Sequence, residues 1–188
     1  MMRTASGVRG LAFAVALVVC GGASATSLMH MTVEKMAGAA RLIVRARCLA
    51  NATRWDAGDI WTFTTFETTE VWKGKAEERF TVRLLGGSVG NLTSRVAGVP
   101  RFQPGEDVVL FLETTKRGDY SIVSWVQGTF RIRPNRRGGK SVAQDTADFA
   151  TFDPATRRFE ANGIRNMLLE ALQAQVKSAT RNQAGRKP

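Results

Sequence analysis

A mainly β fold, a small barrel or sandwich of five or six strands with a short helix before it and an amphipathic helix after it, is predicted by three features of the sequence. Alternating apolar and polar runs recur from Leu42 to Arg133, with turns rich in Gly, Asp and Lys between them. Helical signals are confined to the two flanks. The 188 residues are 44% hydrophobic and 23% charged, ordinary globular usage that excludes a disordered, collagen-like or coiled-coil chain.

The amino terminus reads as a secretory signal peptide over residues 1–25. Arg3 and Arg9 precede the apolar run Leu11 to Val19, and Ala23-Ser24-Ala25 supplies the small residues of a cleavage site. The run falls short of the roughly 20 apolar residues that cross a bilayer, so the mature chain is expected to have no transmembrane span and to be periplasmic or extracellular. Val19 stands before Cys20 where lipid attachment wants a small residue. Removal of the peptide takes two of 27 Lys plus Arg and none of 16 Asp plus Glu, leaving 25 − 16 = +9. Only Cys48 remains, so no internal disulfide forms and a hydrophobic core must hold the fold. A domain of about 150 residues buries roughly 68–70% of its unfolded surface, which is sufficient.

Residues 26–177 are read as one β-rich domain. Thr32 is a helix N-cap, with Met31 and Met36 spaced as a hydrophobic staple, and the helix runs to about Ala40. Leu42 to Leu49 is a strand that places Cys48 on one face with Leu42, Val44 and Ala46, as a small buried hydrophobe. The turn Asp56-Ala-Gly-Asp59 leads into a long strand, Ile60 to Trp72. There Trp61, Phe63 and Thr65 alternate on one parity and Phe66, Thr68 and Glu70 on the other, which calls for a bulge near Thr65 or Phe66. Trp61 and Phe63, sharing a face, are expected in the core. Arg79 to Leu85 is the third strand, and Gly86 to Gly105 a long loop with room for a short edge strand at Leu92 to Val96. Val108 to Leu112, Tyr120 to Val126 and Thr129 to Arg133 complete the set. The extension, 134–177, holds a basic turn, a hairpin about Asp153-Pro154 and a helix with Ile164, Met167, Leu168, Leu172 and Val176 on one face; residues 178–188 form a basic flexible tail.

The chemistry is bounded by scarcity. A single His, His30, excludes a multi-His metal site and any triad that needs a downstream His. Gly86-Gly-Ser88-Val-Gly90 matches G-x-S-x-G, but no helical pattern follows and His30 lies upstream, so this segment reads as a loop. Gly139-Lys140-Ser141 fails as a phosphate loop because Pro134 stands where the first glycine belongs. Met29-His30-Met31 with Met36 offers soft donors suited to Cu(I), yet the staple already accounts for Met31 and Met36, so no metal or other cofactor is expected. Glu106-Asp107 follow Pro104-Gly105 in a turn, where acidic residues commonly sit, and a glycosidase would need two acids facing each other about 5 to 9 Å apart, a geometry that spacing along the chain does not give. Asn51-Ala-Thr53 and Asn91-Leu-Thr93 fit the glycosylation sequon. The informative cluster is basic: Arg131 and Arg133 share a strand face opposite Phe130 and Ile132, and Arg136, Arg137 and Lys140 follow in the adjoining loop. These five are the candidate partner-binding residues, a patch for an anionic glycan, a lipid headgroup or an acidic protein.

Val71-Trp-Lys-Gly74, Phe102-Gln-Pro-Gly-Glu106 leading into Val109-Leu-Phe-Leu112, and Gln127-Gly-Thr-Phe130 together resemble a group of uncharacterised secreted bacterial proteins. More remotely they resemble the OB-like barrel of netrin and tissue-inhibitor-of-metalloproteinase modules. The resemblance implies an OB-like five- to six-stranded barrel over about 42–133 and a binding role. It does not carry protease inhibition, because the expected mature start is Thr26-Ser27-Leu28 and the disulfides of that family are missing. The expectation is an exported non-catalytic binding or accessory protein of the cell envelope, its partner an anionic envelope component or another exported protein. The rival is a secreted hydrolase using carboxylates or Ser88. Nucleic acid is disfavoured by export, although OB barrels pair basic grooves with stacking aromatics and Trp55, Trp61, Phe63 and Phe66 gather near one hairpin.

Overall fold

The computed structural model describes residues 28–136, 138–146, 149, 151–153, 156–160 and 163–185. The signal segment with Cys20, Arg137 of the basic cluster, and Pro154 of the expected hairpin turn lie outside them. The elements are β1 (Leu28–Met29), α1 (Val33–Ala39), β2 (Leu42–Asp56), β3 (Asp59–Lys73), β4 (Arg79–Leu85), β5 (Gly87–Val89), β6 (Leu92–Ser94), β7 (Asp107–Thr114), β8 (Tyr120–Ile122), β9 (Thr129–Pro134), β10 (Lys140–Gln144), β11 (Thr151–Asp153), β12 (Arg158–Glu160), β13 (Met167–Leu168) and α2 (Leu169–Ala184). The fold is mainly β.

Eight strands form one sheet in the order β13-β10-β9-β7-β2-β3-β4-β8, and β8 also pairs with β7, so five strands close into a ring. Within the ring β7-β2-β3-β4 is a Greek-key order, the fourth strand returning by a long connection to lie beside the first. The closing contact of β4 with β8 is parallel, at Val82 and Tyr120. The ring interior holds Leu42, Val44, Ala46 and Cys48 from β2, Phe66 from β3, Phe80, Val82 and Leu84 from β4, and Val108, Leu110 and Leu112 from β7. Phe66 stacks on Phe80 at 5.5 Å and meets the edge of Phe102 at 5.0 Å. Each such ring, fully buried, stabilises by about 1.5–3 kcal/mol.

A second core lies outside the ring, where Ile43 of β2, Val109 and Phe111 of β7, Phe130 and Val142 pack under α1 and α2 through Met36, Ala37, Leu172, Val176 and Ala179. β2 and β7 are therefore apolar on both faces near Ile43 and Phe111, which is why Val108 to Leu112 reads as an unbroken apolar run. Thr32 caps α1 as expected, its hydroxyl accepting the Lys35 amide at 3.3 Å, and Met31 packs with Met36 against the same cluster. Lys73 Nζ closes the other end of α1 by donating to the carbonyls of Ala37 and Ala40 at 2.6 and 2.7 Å.

The β2–β3 hairpin turns on Ala57 and Gly58, at φ 54° and 90°, the two left-handed residues a tight two-residue turn demands. The irregularity expected near Phe66 is real, but it sits on the partner strand: Cys48 faces Phe66 and Ala50 faces Thr65, so Leu49 is the extra residue. β3 consequently keeps its parity through this point. Ile60, Thr64 and Phe66 turn inward, and Trp61 and Phe63, expected in the core, lie on the outer face half-buried. Two further expectations are revised. The strand from Tyr120 stops at Ile122 rather than Val126, because Ser124 and Trp125 adopt φ 50° and 51° and turn the chain. The terminal helix begins only at Leu169 and continues to Ala184, through residues assigned to the tail, since buried Ala179 prolongs the face of Leu172 and Val176; Ile164 and Met167 precede the helix, and Leu168 is exposed.

Candidate functional site

The predicted basic cluster is brought together only in part, and much of it is neutralised. Arg131, opposite Val108 of β7 and Ala143 of β10, meets Glu106 at 2.6 Å and Asp145 at 2.8 Å, and donates to the Arg101 carbonyl at 2.7 Å. Lys140 reaches Asp107 at 3.3 Å, and Arg45 of β2 pairs with the same carboxylate. Burial pushes the Asp107 carboxyl up, but hydrogen bonds and charge from Arg45 and Lys140 outweigh it and hold the group below the usual carboxylate range. Among the described members Arg133, Arg136 and Lys140 are exposed, with Arg136 beside a cavity of about 650 Å³ that Ser141 and Asn166 also line. Glu106 and Asp107, weighed as catalytic acids, are thus the counter-ions of the very cations weighed as a patch.

A different constellation occupies the outer face of β3 and β4. Arg54 lies 3.7 Å above the ring of Phe63, and Arg83 lies 3.8 Å above Trp61 and 5.8 Å from Phe63, a ladder of guanidinium on ring across three strands. Such contacts contribute about 0.5–1 kcal/mol when exposed and about 2 when desolvated. Arg83 is only 8% exposed; it meets Asp56 at 2.5 Å and Asp119 at 3.7 Å. The Thr115 hydroxyl donates to Asp119 and, with charge from Arg83 and Arg117, holds that carboxyl low. Arg117 also reaches Asp56 at 3.2 Å. Exposed Lys116 and Arg117 rim a cavity of about 310 Å³ over Trp61 and Arg83, and Trp55 stands 51% exposed near the tip of the neighbouring hairpin. Among the described residues Trp61 Nε1 and Arg83 Nε have no hydrogen-bond partner.

Sequence reasoning missed this face because the parity of β3 was assigned from its aromatics alone. The signal was available in β4: with Val82 and Leu84 inward, Arg83 must face out, beside the residue of β3 that pairs with it, Phe63.

The open end of the ring forms a third feature, a cleft of about 370 Å³. Inward-facing Thr53, Thr62 and Thr64 replace the apolar residues found deeper. Thr64 donates to Asn51 Oδ1 at 2.6 Å, the Asn51 amide donates to the Phe102 carbonyl at 2.8 Å, and Thr62 donates to the Gly86 carbonyl at 2.7 Å. Gly87, at φ 139°, presses against this row; a Cβ there would fall 2.5 Å from Thr62 Oγ1. Ser88 is exposed, and its hydroxyl lies 2.8 Å from that of Thr93, a partner that cannot serve as a general base. His30 lines another cavity, against α1.

Among the described residues no helix is long and apolar enough to cross a membrane. Comparison with known protein families, curated proteins and solved structures finds no match to this chain.

Proposed function

We propose that the chain is an exported, non-catalytic binding protein built on an OB-like barrel, and that it holds an anionic polymer, an acidic oligosaccharide of the envelope, along the outer face of β3 and β4. The reading is carried by the guanidinium groups of Arg54 and Arg83 on Phe63 and Trp61, with Lys116 and Arg117 at the rim. Four strands in Greek-key order with a closing fifth support the OB-like reading, and in an OB barrel the second and third strands, with the loops beside them, bind oligonucleotides and oligosaccharides. Here those strands are β3 and β4, and the loops are Ala57-Gly58 and Lys116-Arg117-Gly118. Export selects the saccharide over the nucleic acid. The exposed Arg54 guanidinium, stacked on Phe63, holds its charge at a fixed position, which suits a repeating anion, while Arg83, paired with Asp56 and Asp119, holds the Trp61 ring in place. The hydrolase alternative draws less support, because Glu106 and Asp107 are committed to Arg131, Arg45 and Lys140.

The test is retention on an acidic polysaccharide matrix in a rising salt gradient, comparing Lys116→Ser with Arg117→Ser against Arg133→Ser with Arg136→Ser. Each double variant removes two exposed cations. The first pair should elute at distinctly lower salt than the second. Greater loss from the second pair would return the binding surface to β9 and its loop, and equal loss would mean that net charge alone acts.

A further inference from the structure

The six methionines of the chain are Met1, Met2, Met29, Met31, Met36 and Met167, and its one histidine is His30. Of these donors, His30, Met31, Met36 and Met167 all line a single cavity of about 340 Å³ between α1 and the segment before α2. Met167 comes from the far end of the chain, where β13 pairs with β10 at Val142. Both cores are otherwise filled by Leu, Val, Ile, Ala and aromatic residues, with Cys48 alone in the ring. Leucine would serve the staple of Met31 and Met36 as well as methionine does, at similar volume and with better-defined rotamers, so packing alone does not account for three of the four methionines after residue 25 lining one cavity with the only imidazole.

The position is also held firmly. Buried Gln127 donates to the carbonyl of Met29 at 2.8 Å and accepts the amide of Met31 at 2.9 Å, bracketing His30, whose own amide donates to the Phe152 carbonyl at 2.9 Å. Gln144 donates to the Gln127 carbonyl at 2.5 Å and accepts the Ile164 amide at 2.9 Å, fixing the strand of chain that leads to Met167. Among the described residues no three His, Cys, Asp or Glu side chains gather as a metal site, so hard or borderline divalent ions find no cluster here. Thioether and imidazole donors select a soft closed-shell cation.

We infer that this cavity is a Cu(I) site, with the His30 imidazole and the thioethers of Met31 and Met167 as ligands and Met36 as its apolar floor. The ion enters and leaves as Cu(I), with no electron transferred. The site is independent of the polysaccharide face on β3 and β4.

The experiment titrates the protein with Ag(I), a redox-inert stand-in, and with Cu(I) against a chromogenic Cu(I) chelator under anaerobic reducing conditions. One equivalent of Ag(I) should shift the ε-methyl resonances of Met31 and Met167 and the ring resonances of His30. The double variant Met31→Leu with Met167→Leu, which conserves core volume, should lose at least tenfold in Cu(I) affinity, while Met29→Leu, altering the 64% exposed neighbour, should stay within twofold. Cys48→Ala should bind as the parent does. Unmoved methionine methyls, unchanged affinity in the double variant, or binding that disappears with Cys48 would each overturn the site.

Discussion

Arginine appears in two regions of this sheet with opposite consequences. Around β9, the neighbouring strand β7 and its turn offer Glu106 and Asp107, and Arg131, Arg45 and Lys140 are drawn into ion pairs that tie strands and loops together. Around β3, which offers Trp61 and Phe63, Arg54 lies exposed on the Phe63 ring, while Arg83, stacked on Trp61, is buried and also paired with Asp56 and Asp119. Whether an arginine becomes structure or surface is thus decided by the acids that reach it: Arg131, Arg45 and Arg83 are paired, while Arg54 stays exposed on its ring. That information sits tens of residues away in the chain.

The comparison breaks most readily at Arg131. Arg131→Ala strands Glu106, Asp145 and the Arg101 carbonyl together; with Asp145 half-exposed, the expected loss is about 1–3 kcal/mol in urea denaturation. Arg133→Ala, on the same strand face but exposed, should change stability by no more than about 0.5 kcal/mol. Equal losses would mean that the ion pairs do not fasten the strands.

A smaller effect is read by pH. The Asp107 carboxyl is held below its ordinary value when folded, so its contribution to stability is complete above the ordinary carboxylate pKa of about 3.9 and is lost as pH falls through the depressed folded value. The thermal midpoint of the parent should therefore fall more steeply below about pH 4 than that of Asp107→Asn, which has no proton to take up there. Parallel curves would deny Asp107 its role as the shared counter-ion.

The smallest stability change is expected on the aromatic side. Trp55→Ser removes a half-exposed indole and should leave the urea midpoint nearly unmoved, within about 0.5 kcal/mol, and, with Trp55 on the strand face opposite Arg54, should leave retention on the acidic polysaccharide as in the parent. Loss of folding would make Trp55 a packing residue instead.

Local chemistry was legible in the sequence wherever a few neighbouring residues settle the backbone. The cap at Thr32, the turn at Ala57-Gly58 and the doubly buried run in β7 are of that kind. What sequence could not yield depends on closure. The side of β3 that faces the interior can be read from the alternation of β4 only once the pairing of Phe63 with Arg83 is known, and neither that register nor the extra residue Leu49 leaves a local pattern. The same holds for the patch: alternation correctly put Arg131 and Arg133 on one face, but the acids that neutralise Arg131 arrive from the 101–107 loop and from Asp145. At the C-terminus, Ile164, Met167 and Leu168 mimic helical spacing across a strand, and only the pairing of β13 with β10 separates them.

The clasp at Gln127 bears on how this molecule reaches its native state. Its side chain gathers partners 96 and 98 residues upstream, and its carbonyl a partner 17 residues downstream. Contacts of such long sequence separation incur their loop-closure entropy before any of them forms, and proteins dominated by them fold slowly. The N-terminal segment docks on Gln127, on β11 and on α2, all far along the chain, so it should be among the last parts to settle during refolding and among the first to exchange its amides when the native state opens. A glutamine in the middle of the chain would then act as the latch that times the arrival of its beginning.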